Sequence, residues 1–424
     1  MPRHFFLLLI AGCLLSSTVA RTEDATTTWR AVILEPADGT TAVAGPDHSP
    51  PTDPQVSAAD EPLVAEPPVA EPPVAEPPLT PEQLALRERL RNCLAYYFYR
   101  PESTQRRSPW GVLHAIIGFG VDTSLLAGDR EVNAIAWLCA NGPCHGMQVL
   151  APVAGSVGVR KGPGYQGHDG QLLAILAQSR VKIDYPLIVQ GQRLSIGDLV
   201  RSEQLSCRAG TELTFKLIGL AHYLDPDTAW RNDAGEAWDI ARLVKEELAQ
   251  PIVGAACGGT HRLMGFSYAV RSRERSGRPL DGQWERAKDY LEQYHAYTFR
   301  LQNADGSFST NWFARRGDQP DLDRRLDTTG HTLEWLAYSL PRTQLGDARL
   351  VRAVEYLIDL MWRYRGREWD IGPRGHAIHA LSLYDERVFD GRLGQRAADL
   401  AAHRRVGRPA EVVERPPISG APSR

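Results

Sequence analysis

Apolar positions recur with the period of an α-helix over most of residues 82–403, and they do so in two different ways. In the first kind of segment a narrow apolar stripe faces a charged one. Residues 347–364 place Leu350, Val354, Leu357, Ile358, Met361 and Trp362 on one face. Residues 234–249 do the same with Ala237, Ile240, Ala241, Val244 and Leu248, and residues 283–301 with Trp284, Ala287, Leu291, Tyr294 and Leu301. Such helices predict a solvent-facing layer.

The second kind is short, opens at a Gly or Thr turn, and is small or apolar almost all round. These segments start near Trp110, Gly167, Gly210, Gly258, Gly330 and Gly375. A helix without a polar face is touched on both sides. The polar residues just inside five of the starts are His168, Glu212, His261, His331 and His376, separated by 44, 49, 70 and 45 residues. One helical hairpin needs about 40–50 residues, so the spacing predicts a repeat of paired helices, with an insertion at roughly 303–327. Six inner and six outer helices predict an all-α fold, a single α/α toroid over 81–403, with an open solenoid as the structural alternative. A hairpin turning at Gly191 is expected within 181–194.

The flanks are different. Arg3 and His4 precede the apolar run Phe5–Ile10, the order of an export signal over 1–20. Cleavage after Thr18-Val19-Ala20 and lipidation of Cys13 within Ile10-Ala11-Gly12-Cys13 are both consistent with it. Residues 21–80 form an acidic Pro-rich linker closing on three copies of Val-Ala-Glu-Pro-Pro, which predicts an extended, solvated spacer. Thr80-Pro81-Glu82-Gln83 then reads as a helix start with a capping box, and residues 404–424 read as a disordered tail. The expected location is therefore the periplasm or cell envelope, with membrane contact only through a lipid on Cys13.

Charge changes little. The formal net charge is −3 at pH 7, and residues 22–81 hold 11 acidic side chains against Arg30 alone. The body is close to neutral, which argues against nucleic acid as a partner. A small polar ligand, a glycan or a protein remain as partners, and no cofactor is indicated. Cys93, Cys139, Cys144, Cys207 and Cys257 lie beyond the signal. Cys139 and Cys144 bracket a turn, and an exported chain makes a local disulfide there the leading expectation. Cys257 precedes Gly258-Gly259-Thr260-His261 and stands beside a candidate site histidine.

Leu301-Gln302-Asn303-Ala304-Asp305-Gly306-Ser307-Phe308 resembles the repeat motif of the terpenoid cyclase and protein prenyltransferase superfamily. The resemblance implies the toroid, because the motif is a structural one there. It implies no chemistry. Asp225-Pro226-Asp227-Thr228-Ala229 lacks the acidic pattern of the cyclases and reads as a turn, and the zinc ligands of the prenyltransferases have no match, so no metal ligands are assigned. Gly330-His331-Thr332-Leu333-Glu334-Trp335 is also similar to a string of the sugar 2-epimerase barrels.

If the inner helices run parallel, their N-termini converge on one rim. His331, Glu334, His261 and His376 are then the catalytic candidates for acid–base work, and His168, Asp169, Glu212, Arg262, Trp335 and His379 are the binding candidates. A buried Glu334–Arg262 pair is the structural alternative. Absence of the family's catalytic motifs favours a non-catalytic scaffold, and an enzyme acting on a polar or carbohydrate-like ligand is the second reading.

Overall fold

The computed structural model describes residues 78–153 and 156–407. The signal, Cys13 and almost all of the linker and tail lie outside the described residues. The chain begins at α1 (Pro81–Phe98), where Thr80 and Gln83 exchange the side-chain to backbone bonds of a capping box. Leu90 and Leu94 of α1 are fully buried. From there two sets of helices alternate.

The helices that are wrapped on nearly all sides are α2 (Pro109–Phe119), α4 (Gln171–Gln178), α6 (Thr214–Tyr223), α8 (Thr260–Arg275), α10 (Leu322–Ser339) and α12 (Ile371–Val388). Each packs on the next of this set, and α12 also packs on α2. The half-exposed helices are α1, α3 (Ala134–Cys139), α5 (Ile196–Leu205), α7 (Ile240–Leu248), α9 (Gly282–Leu301) and α11 (Ala348–Arg363). In α11 the expected stripe is buried from Leu350 to Met361 and half-buried at Trp362, while Arg352, Glu355 and Asp359 remain outside the core.

The fold is helix-rich but not all-α. Small sheets interrupt the helical pattern: β1 (Glu102–Ser103) pairs parallel to β2 (Ser124–Ala127), which pairs antiparallel to β3 (Arg130–Asn133). Three further two-stranded antiparallel sheets join β4 (Leu150–Val153) to β5 (Ser156–Val159), β6 (Pro186–Val189) to β7 (Gln192–Ser195), and β8 (Ala229–Arg231) to β9 (Ala237–Asp239). The hairpin of β6 and β7 turns at Gln190-Gly191, both at positive φ, as a two-residue hairpin loop requires. Ala237, expected on a helix, lies on β9, because Trp230 and Trp238 pair across the ladder and draw that segment into a strand.

Two of the inner helices start earlier than the glycines suggested. α10 begins at Leu322 and α12 at Ile371, so Gly330 and Gly375 are interior residues whose role is close approach. A Cβ on Gly330 would stand about 3.0 Å from Ala377, and one on Gly375 only 2.1 Å from the carbonyl oxygen of His114. These contacts draw α2, α10 and α12 together. His331 and His376 are thereby moved from the expected rim of helix starts into the interior.

Five cysteines fall within the described residues, and all are free thiols. The expected Cys139–Cys144 bridge is not formed. Burial pushes the thiol of Cys139 up to about 12 and that of Cys144 up to about 11, and both pack in the core.

Candidate functional site: a buried histidine and thiol centre

Four imidazoles meet where α2, α8, α10 and α12 converge. His331 stacks on His376 with ring centroids 3.9 Å apart. His261 lies 4.9 Å from His376 and 5.3 Å from His331, and His114 lies 5.5 Å from His376. All four rings are buried. The expected grouping of His261, His331, Glu334 and His376 is therefore realised in space, although only His261 sits at a helix start.

Each ring but that of His261 is tied by Nδ1. His331 donates to the Asp327 carbonyl oxygen at 2.8 Å, with the Asp327 carboxylate at 3.2 Å. His376 and His379 donate to the two oxygens of Glu334 at 2.8 and 2.5 Å, and His114 donates to the Trp110 carbonyl at 2.7 Å. Carbonyls and carboxylates only accept, so Nδ1 carries the hydrogen and Nε2 keeps its lone pair in each neutral ring. Nε2 of His331 is buried with no hydrogen-bond partner among the described residues, and the ring of His261 makes no hydrogen bond there either. Leaving a buried acceptor unmatched costs about 1–3 kcal/mol, so its retention calls for an explanation.

The sulfur of Cys257 supplies one. Donor atoms of Cys257, His261 and His331 lie within 4.8 Å of one another, as do those of His261, Glu334 and His376. Cys257 is held there by an unusual backbone. Its own φ is 48°, and Gly258 and Gly259 follow at 64° and 88°. Trp312 opposite is also at positive φ, 56°, and a Cβ on Gly258 would stand 2.2 Å from its ring. Side chains rarely adopt that region, and such strain gathers at functional sites. Cys257 and Asp327 line a cavity of about 530 Å³ together with Trp312, Asn311 and Arg324, whose guanidinium lies 5.1 Å over the Trp312 ring. Cys257 and Asp327 thus stand between the buried imidazoles and this cavity.

The electrostatics favour lone pairs on three of the rings and a cation, a proton or a metal ion, at His331. Burial holds His261 well below the usual imidazole range, helped by His376 and His331, and holds His376 below it too. Burial pushes His114 down to about 3. Burial also opposes a charge on His331, but the sulfur of Cys257 and the carboxylate of Asp327 outweigh it and raise its proton affinity well above the usual value. Burial works against ionisation of Glu334, and His376 and His379 overcome it, so this carboxyl stays well below its usual range.

The other candidates do other things. Arg262 pairs with Glu247 at 2.9 Å, not with Glu334, because Glu247 also caps the start of α6 through the backbone of Leu213. His168 bonds Glu212 at 2.7 Å and stacks on Phe215, which in turn touches His261, so this pair stands beside the centre. Asp169 bonds Lys161 at the surface. Trp335 is fully buried, bonds Ser267 and stacks on His295, which makes it a packing residue. Asp225 accepts from the backbone of Asp227, the turn expected there. The sequence reading missed Asp327, His114 and Trp312. The i, i+4 spacing of Asp327 and His331 was the one available signal for any of them.

No family model, no curated protein and no solved structure matches the chain. Among the described residues no helix is long and apolar enough to cross a membrane.

Proposed function

We infer that the chain is a metal-dependent enzyme acting on a polar substrate. Cys257 Sγ, His261 and His331 Nε2 would hold one divalent ion of the zinc class, and the cavity beside Trp312 would admit the substrate. The observation that carries this is the buried, unpartnered Nε2 of His331, fixed through Nδ1 and grouped with a thiol and a second imidazole. Imidazoles whose other nitrogen donates to a carbonyl or carboxylate are the usual supporting arrangement of metal ligands. One sulfur and two nitrogens suit zinc or cobalt, and three protein ligands leave a position open for water or substrate. An ion there would supply Lewis acidity, and Glu334 and His376, grouped with His261, would be placed for proton transfer.

The grouping of these side chains behind Cys257, which itself lines a cavity, supports the enzyme over the scaffold expected from the missing family motifs. The pairwise contacts that run from α2 through α4, α6, α8 and α10 to α12 and back to α2 support a closed α/α toroid. That reading keeps the terpenoid cyclase-like resemblance as one of architecture. Export by the N-terminal segment is part of the same proposal.

Metal analysis of the purified protein tests it. One equivalent of zinc is expected, replaceable by cobalt with a thiolate-to-cobalt charge-transfer band that disappears in Cys257→Ser. A folded protein that takes up neither ion with the wild-type residues in place ends the reading.

A further inference from the structure

On the other side of the histidine stack lies a second, smaller cavity of about 170 Å³, between α1, α2 and α12. It shares a wall with the centre, because His114 lines it while packing edge-on against His376. Its body is apolar and aromatic, formed by Tyr96, Phe98, Phe119 and Ile378. A dry cavity of roughly 150 Å³ lined by apolar side chains is large enough to bind benzene, so this one holds a single ring with a small substituent.

The lining also carries arginines. Arg374 and Arg107 both bond Glu102, which leaves that trio with a surplus of one positive charge. Arg365 adds another at the wall, where it stacks over Trp362 and, among the described residues, bonds only the backbone carbonyl of Trp362. Glu102 is the one acidic residue in the lining. A pocket lined by aromatic side chains and guanidinium groups matches a planar anion, since arginine recognises carboxylate through parallel N–H bonds.

We propose that this cavity is a separate binding site for a small aromatic carboxylate, formed by the aromatic wall of α1 and α2 together with Arg374 and Arg365. It does not require the metal centre. The His114 ring gives a bound ligand direct contact with the wall of that centre.

Isothermal titration of the purified chain with sodium benzoate tests the site. Saturable binding with a dissociation constant on the order of 1 mM or tighter is expected. Benzamide, the same size without the charge, should bind roughly tenfold more weakly. Ala115 lines the cavity, and Ala115→Phe should fill it and abolish binding. Arg374→Met should weaken benzoate by roughly tenfold while Arg107 still neutralises Glu102, so it reports on recognition even if the filled variant does not fold. Cys257→Ala should bind benzoate as the wild type does, which separates this site from the metal reading. No saturation with benzoate, equal binding of benzamide, or benzoate binding unchanged in Arg374→Met would each overturn the proposal.

Discussion

Asp327 and His331 stand one helical turn apart on α10, and two oxygens of the first, its carbonyl at 2.8 Å and its carboxylate at 3.2 Å, approach the same imidazole nitrogen of the second. The carbonyl fixes the tautomer, and the carboxylate adds charge behind the ring. Asp327→Asn keeps the first effect and removes the second. Loss of such a supporting carboxylate typically costs 10–100-fold in metal affinity. Competition with a chromophoric chelator should show zinc bound at least about tenfold more weakly in the variant, with helical content unchanged. Equal affinity would mean that the carboxylate does not support the ligand.

Glu334 is 2% exposed and accepts from both His376 and His379. An amide of the same shape has one accepting oxygen, so in Glu334→Gln its NH₂ group must face an imidazole N–H. One of the two rings then has to change tautomer or lose its bond. The expected cost is about 2 kcal/mol, the price of one buried unmatched donor next to a retained bond. Urea unfolding measures it, and a change below about 0.5 kcal/mol would show that both rings adapt freely.

How much of this was legible beforehand follows from what spacing can encode. The outer helices and the short inner ones were readable because a stripe at 3.6 residues, or its absence, reports burial directly. His261, His331 and His376 were found through repeat register, and Glu334 through its place one turn after His331 in the Gly330–Trp335 string. The same register put His331 and His376 at a rim, which was wrong in depth, because α10 and α12 extend N-terminally of their glycines. Gly330 and Gly375 resemble turn glycines in sequence, yet they serve helix–helix approach. Nothing local distinguishes the two uses. The short strands were lost for a related reason: β1 has two residues and β8 and β9 have three each, too few for an alternation to register. Arg262 and Glu334 looked like partners by charge, but a carboxylate 15 positions upstream, Glu247, was already placed by capping α6.

Gly258 lies at φ 64° with the Trp312 ring where its side chain would be. Gly258→Ala is therefore strained by backbone and by contact at once, and the segment carrying Cys257 has to shift. A loss of roughly 2 kcal/mol or more is expected, together with weaker zinc binding. Trp312→Ala removes the contact but not the dihedral strain. The double variant should then recover part of the loss, a coupling of about 1 kcal/mol or more between neighbours. Strict additivity of the two substitutions would remove Trp312 from the account.

Two histidines remote from the centre predict the acid limb of stability. Burial holds His222 down at about 4, with Arg275 and Arg180 adding repulsion, and burial alone holds His295 at about 4. The ordinary value in an unfolded chain is about 6.5. Above that value both states are neutral at these positions and neither residue affects stability. As the pH falls below it, the unfolded chain takes up protons that the native one refuses, so stability drops until about pH 4 and then levels. Each residue contributes up to about 3 kcal/mol to that fall. His222 packs its ring against Tyr223 and Tyr268 and makes no hydrogen bond among the described residues. His222→Phe preserves the packing and removes the proton site, so the variant should lose less stability than the wild type between pH 7 and pH 4.5, as measured by urea unfolding at each pH. An identical fall in the two proteins would show that His222 is not held neutral by the fold.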